Sequence, residues 1–159
     1  MNTKLVWDNR FLSMAKLIAT WSRDRSTKVG AVIVGPNREV RSVGYNGFPR
    51  GVNDAIESRY ERPGKYDWTE HAERNAIYNA ARYGGPLDGC SIYVWVETTP
   101  GSAWKGGLCP DCARAVIQSG LKRVIINCDV SNPELSKVFL EAFEEAGIDL
   151  CGMSQTTTS

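Results

Sequence analysis

The sequence contains a single histidine, and a carboxylate follows it two positions later in His71-Ala72-Glu73. Of five cysteines, an odd number, two stand close together in Cys109-Pro110-Asp111-Cys112. One imidazole and two thiolates make a ligand set that suits zinc. Structural zinc sites take four protein ligands, whereas three leave a position open for water, as catalysis requires. On a helix, residues i and i+2 point in different directions, so Glu73 is placed for a water beside the metal rather than for the metal. Water on zinc has a pKa near 7, and a neighbouring carboxylate can take its proton and later return it. Together these groups are equipped for hydrolytic attack on an electrophilic carbon. Each part alone is weaker. A lone histidine is commonly structural, a close cysteine pair can be a redox dithiol, and a glutamate in a first helical turn also complements the helix dipole.

The elements around these residues are legible from periodicity and punctuation. Both motifs fall at expected helix starts, where unpaired N–H groups favour a thiolate. The pattern from His71 to Tyr83 is helical, with Ala72, Ala76, Ile77 and Ala80 on one stripe and Gly84-Gly85 as the stop. A second helix is expected from about 110 to 119, ended by Gly120. Upstream, Asp8 is expected to cap a helix over 9–22 that carries Phe11, Leu12, Ala15, Ile18 and Trp21. Strands are expected at 29–34 and 39–45 around Gly35-Pro36-Asn37, and at 91–97, 123–126 and 148–150. A last helix is expected near 133–146. Residues 46–68 and 98–108 read as long loops, and a chain with two such loops usually uses them functionally.

This order predicts an α/β domain with a single mixed β-sheet of about five strands and helices on both faces. The first two strands are expected to be antiparallel, with parallel pairing where helices cross over. One domain is expected over 1–152, with a disordered tail over 153–159. The 159 residues are 42% hydrophobic and 23% charged, with a net charge of +1. That composition is globular. The near-balance speaks against a nucleic-acid partner, which selects for a basic surplus. No apolar run approaches the roughly 18 residues of a membrane span, and the N-terminal residues have no apolar stretch of signal-peptide length. A cytoplasmic protein is expected. Cys90, Cys128 and Cys151 lie in or beside apolar runs and read as core.

The chain resembles the deoxycytidylate (dCMP) deaminases of the zinc-dependent cytidine deaminase superfamily. The resemblance rests on Ser22-Arg23-Asp24, Ser26 to Ala31, Gly44-Tyr45-Asn46-Gly47 with Phe48-Pro49, His71-Ala72-Glu73 with Asn75-Ala76-Ile77, Cys112 to Ala115 and Gly120 to Val124. His-x-Glu followed by Cys-x-x-Cys is the signature of zinc nucleobase deaminases. The resemblance implies a cytidine deaminase-like fold and conversion of dCMP to dUMP with release of ammonia, supplying thymidylate synthesis. It implies Zn2+ on His71, Cys109 and Cys112, with Glu73 as proton shuttle. The Ala72 backbone N–H would hold the base carbonyl, and Asn46 would contact the sugar. It also implies a homo-oligomer, often a hexamer, and regulation by dCTP and dTTP bound with Mg2+ near Gly44, Tyr45, Asn46 and Gly47.

For the substrate phosphate, Ser22, Arg23 and Arg25 are the candidates. Arg50, Arg59, Arg62 and Lys65 follow, each individually more typical of a solvated charge. Three departures from the family pattern stand out: Leu108 precedes the first cysteine where proline is usual, the 98–108 loop with its lone Trp104 is longer, and Arg25 stands where relatives tend to have proline. The altered loop keeps dCTP, a 5-substituted dCMP, a nucleoside or a purine open as substrate. Two readings from other classes are a non-catalytic zinc-stabilised interaction domain and a thiol–disulfide oxidoreductase.

Overall fold

The computed structural model describes residues 2–154. Helix α1 (Thr3–Ala19) is followed by strands β1 (Thr27–Val34) and β2 (Val40–Tyr45). A short 3-10 turn (Glu57–Tyr60) and the one-turn helix α2 (Lys65–Trp68) lie in the long loop that follows. Then come α3 (Ala72–Tyr83), β3 (Ser91–Thr98), α4 (Pro110–Gln118), β4 (Arg123–Ile126), α5 (Lys137–Glu145) and β5 (Asp149–Gly152). The five strands form one mixed sheet, as expected from the alternation of elements, in the order β2-β1-β3-β4-β5. β1 is antiparallel to both β2 and β3, and β3, β4 and β5 run parallel. The strand after α3 therefore joins the far side of β1 rather than the side of β2.

Alternation along the strands separates two cores. Ala31, Ile33, Ile92, Val94, Val124 and Ile126 face α3, α4 and α5, while Val32, Val34, Tyr93, Trp95 and Ile125 face α1. Each face of the sheet is thus covered by helix. Close approach sets two glycine positions. A Cβ on Gly30 would stand 2.0 Å from the Ala15 carbonyl of α1, and one on Gly44 would stand 2.4 Å from both the Ala72 carbonyl and the Ala76 nitrogen of α3. Only glycine lets α3 lie this close to β2.

The start of α1 corrects the expected cap. Asn2 is the N-cap, its side chain accepting from the Lys4 N–H, and Asp8 lies inside the helix. Asp8 faces the sheet because β3 and β4 supply its partners. Its carboxylate accepts from the Tyr93 hydroxyl at 2.8 Å and from both terminal nitrogens of Arg123 at 2.7 Å. Burial pushes the Asp8 carboxyl up, but these bonds win and hold it below its ordinary value. Trp21 lies beyond the helix and is exposed, edge-on to Tyr45, rather than packed in the core. At the other end, beyond β5, the Met153 N–H donates to the Ile126 carbonyl at 2.8 Å, and Met153 packs against the α1-side core. The rest of the expected tail, 155–159, lies outside the described residues. Among them, no helix is long and apolar enough to cross a membrane.

The segment joining β2 to α3 is pinned at both ends. Gly47 and Glu70 exchange backbone hydrogen bonds at 3.1 and 2.8 Å, which ties the exit of β2 to the residue before His71. Between those ends, Phe48 stacks on Tyr60 and leans on Trp68, with the Arg59 guanidinium over the Trp68 ring.

Candidate metal and active site

Two helix starts converge beneath one cavity. His71 is the N-cap residue of α3, and Cys109 is that of α4, its Sγ accepting from the Cys112 N–H. Pro110 takes the first turn of α4, where its missing N–H costs no helical bond. The Cys109 and Cys112 sulfurs each lie 3.4 Å from His71 Nδ1, and the three donor atoms lie within 4.8 Å of one another. A tetrahedral zinc with ordinary bond lengths needs its nitrogen and sulfur ligands about 3.5–3.8 Å apart. The donor set fits that ion in both chemistry and spacing.

The electrostatics follow the same geometry. The Cys109 thiol is held down to about 4, first by the hydrogen bond from Cys112 and then by His71, against the opposing effect of burial. The Cys112 thiol is pushed up by its bond to Cys109 and by burial, and the His71 imidazole is raised chiefly by its bond to Cys109. Glu73 projects from the first turn of α3 and is 6% exposed. Burial pushes its carboxyl up, while its own backbone N–H, His71 and the Cys112 thiol pull the other way.

The cavity above these groups has a volume of about 350 Å³, within the range of small-molecule sites. His71, Glu73 and Cys109 line it together with Asn46, Lys65 and Trp104. Ala72 also lines it, and as the first helical residue its backbone N–H has no acceptor within α3. Asn46 is buried, with its side-chain oxygen accepting from the Val29 N–H at 2.8 Å and its nitrogen donating to the Thr27 carbonyl at 2.9 Å. Those bonds fix the amide and leave it one N–H and one lone pair. The 99–108 loop reaches the cavity through Ser102, Ala103 and Trp104, and its far end is tied down where the Gly107 N–H meets Cys128 Sγ at 3.4 Å.

Other expected site residues lie elsewhere. Ser22 is buried and committed, donating to the Asn46 carbonyl and accepting from the Asp24 N–H. Arg23 and Arg25 are exposed and paired with Asp54 and Glu57. None of the three lines the cavity. Gly44 lies beneath α3, Tyr45 is exposed against Trp21, and Gly47 is held in its bridge to Glu70. Of the remaining cysteines, Cys90 is buried in the core, and Cys128 and Cys151 are half-buried.

The sequence pattern of the cytidine and deoxycytidylate deaminase zinc-binding region matches residues 5–128. The chain belongs to this deaminase family. An uncharacterized deaminase from the luxG 3' region of Aliivibrio fischeri is 44% identical over 139 residues, covering 87% of this chain and 80% of that protein. The Mus musculus deoxycytidylate deaminase is 35% identical over 132 residues, covering 79% of this chain and 66% of its own length. In fold, the deaminase matches the dCMP deaminase of cyanophage S-TIM5, solved with dCMP and dUMP, at a TM-score of 0.69 and 22% identity, over 96% of this chain and 99% of the other. The zinc-binding description and the donor trio agree, and the chain is a zinc-dependent deaminase.

Two residues of this deaminase gain prominence only in three dimensions. Arg62 and Lys65 line the cavity, and Lys65 is buried in an ion pair with Asp24. In the sequence they are two cations among several in an aperiodic loop. Their joint placement depends on Asp24 and Ser26, which only the tertiary fold brings to them.

Proposed function

We propose that this chain hydrolyses dCMP to dUMP and ammonia. The observation that carries the reading is the convergence of His71, Cys109 and Cys112 on one point beside a nucleotide-sized cavity that His71, Cys109 and the buried Glu73 line. The family and the named dCMP deaminases among its relatives support the choice of base. His71, Cys109 and Cys112 would hold a zinc ion, which would supply the Lewis acidity that activates water for attack on an electrophilic carbon. Glu73 takes one proton of the water and delivers it to ring nitrogen 3, then carries the second, from the hydroxyl added at carbon 4, to the amino group, which leaves as ammonia as the carbon 4 carbonyl forms. The Ala72 N–H donates to the base carbonyl, and Asn46, locked by its two backbone bonds, positions the sugar.

The proposed catalytic domain covers 1–152, in the cytoplasm, assembled as a homo-oligomer. Its proposed regulators are dCTP and dTTP with Mg2+ at the Gly44–Gly47 segment, where Tyr45 offers the exposed side chain. The test is ammonia release from zinc-loaded protein offered dCMP, dCTP, 5-methyl-dCMP, deoxycytidine and CMP, with Glu73→Ala as blank. Turnover of dCMP above the others, absent in the blank, supports the proposal. Preference for another substrate moves the specificity to the loop that carries Trp104. Zinc binding with no turnover on any of them overturns the reading in favour of a non-catalytic domain.

A further inference from the structure

Within the cluster around Lys65 on the cavity's lining, two cations face one carboxylate. Lys65 is 6% exposed, and its ammonium donates to Asp24 Oδ2 at 2.8 Å and to Ser26 Oγ at 3.0 Å. A lysine head has three N–H donors, so one remains. Arg62, at the exposed rim, reaches the same Ser26 oxygen at 3.4 Å and has no carboxylate at ion-pair distance among the described residues. Ser26 in turn donates to Asp24 Oδ1 at 2.9 Å. One hydroxyl therefore fixes two cations side by side against a single carboxylate.

Asp24 is itself spoken for. Its Oδ1 also accepts the backbone N–H groups of Ser26 and Thr27, at 2.8 and 3.1 Å. It anchors Lys65 and leaves the guanidinium uncompensated. Taking an ammonium out of water is costly unless it is paired and hydrogen-bonded, so a buried lysine on a cavity's lining with one donor to spare is arranged for a ligand. The surplus is positive, and its complement is an anion with several acceptor oxygens. A phosphate monoester carries about −1.5 to −2 at neutral pH and three such oxygens. Neither the base nor the sugar of the proposed substrate supplies charge of that kind.

We propose that Lys65 and Arg62, preorganised by Ser26 and Asp24, bind the substrate's 5'-phosphate and set the preference for a nucleotide over a nucleoside. This takes the place of the expectation that Ser22, Arg23 and Arg25 do so. It rests on the deaminase reading for the identity of the rest of the substrate. Lys65 holds the phosphate from inside the cavity, and Arg62 closes on it from the rim.

The experiment measures binding of dUMP and of deoxyuridine to the zinc-loaded protein by calorimetry, in wild type, in Arg62→Gln and in the double variant Asp24→Asn/Lys65→Met. Removing Asp24 and Lys65 together avoids leaving a buried carboxylate alone. Arg62 is exposed, so Arg62→Gln keeps the test decisive even if the double variant does not fold. The preference for dUMP over deoxyuridine is expected to fall about tenfold or more in Arg62→Gln, the loss typical of a charge-assisted bond. Preference at the wild-type level in both variants overturns the proposal, as does a wild type that binds the two ligands alike. Ammonia release is read separately. A wild type that holds dUMP through Arg62 but releases no ammonia from dCMP supports the phosphate site and sinks the deaminase reading. A wild type that deaminates dCMP with an unaltered preference in both variants does the reverse.

Discussion

Two ion clusters among the described residues, each centred on a buried aspartate, are built from similar parts and put to different ends. On the α1 side, Asp8 is held by Tyr93 and by both terminal nitrogens of Arg123, whose Nε reaches Asp149 at 3.0 Å. Protein donors surround the carboxylate, and the cluster lies behind the sheet, away from the cavity. On the α3 side, Asp24, Lys65, Ser26 and Arg62 make a cluster with cations to spare, and it opens into the space above the metal ligands. Glu73 lies there too, a buried carboxyl with no cationic side chain at salt-bridge distance among the described residues. A closed network stabilises the chain, while an unbalanced one stores affinity for something else.

If that contrast is right, substitutions on the two sides separate cleanly. Glu73→Gln, on the cavity side, is expected to lower kcat by about 10²–10⁴-fold, while zinc content and thermal midpoint stay at wild-type levels. A fall in the midpoint without a fall in kcat would assign Glu73 to the scaffold. Asp8→Ala, on the other side, is expected to cost roughly 3 kcal/mol of stability in urea unfolding, the low end for breaking a buried pair because Asp149 still faces Arg123. KM of the folded protein is expected to stay put, and a large KM change would show the two sides to be coupled.

Gly44→Ala tests the seating of α3, the helix that presents His71, on the sheet. A Cβ there meets backbone of α3 at 2.4 Å, so the helix must shift and carry His71 with it. About 1–3 kcal/mol of stability is expected to go, together with zinc affinity measured by competition with a chelator. Loss of one without the other would break the link between α3 packing and the metal site.

The smallest effect at neutral pH separates Asp8 by titration. Asp8 and Asp24 are both held below their ordinary 3.8 in the folded chain, despite burial pushing each of them up. The unfolded chain therefore binds more protons in that range, and stability rises with pH. Their contribution is complete above about pH 5 and is lost as pH falls through 3.8 and below. Asp8→Asn is expected to flatten the fall of the thermal midpoint between pH 5 and 3 while leaving dUMP affinity at neutral pH unchanged. An equally steep fall in the variant would remove Asp8 from the acid response.

The sequence disclosed the metal end of this molecule far better than the other end. His71, Glu73, Cys109 and Cys112 are local signals: each pair lies within one helical turn, and residue type alone limits what they can do. The strands were equally local signals, apolar and β-branched runs bounded by turn residues, and helices on both faces of the sheet follow from the order of elements. Asp8 misled because an acidic residue ahead of an apolar stripe looks like a cap, whereas Arg123, far along the chain, draws it into the helix's buried face. Arg23 sits in a stretch that resembles the family and Arg25 departs from it, yet both are held at the surface by Asp54 and Glu57 of the loop after β2. Arg62 and Lys65 had no periodicity around them, and their significance depends on Asp24 and Ser26, brought close only by tertiary folding.

The bridge between Gly47 and Glu70 has a consequence for how such a chain can diverge. Because the segment leaves and re-enters the scaffold at one paired point, its length is thermodynamically cheap to change: doubling a closed loop adds only about 0.6 kcal/mol. Insertions, deletions and drift between those anchors can rewrite which end group a ligand must carry, without disturbing the helix that presents the histidine. The reacting end and the recognised end of the substrate are in this sense separately heritable.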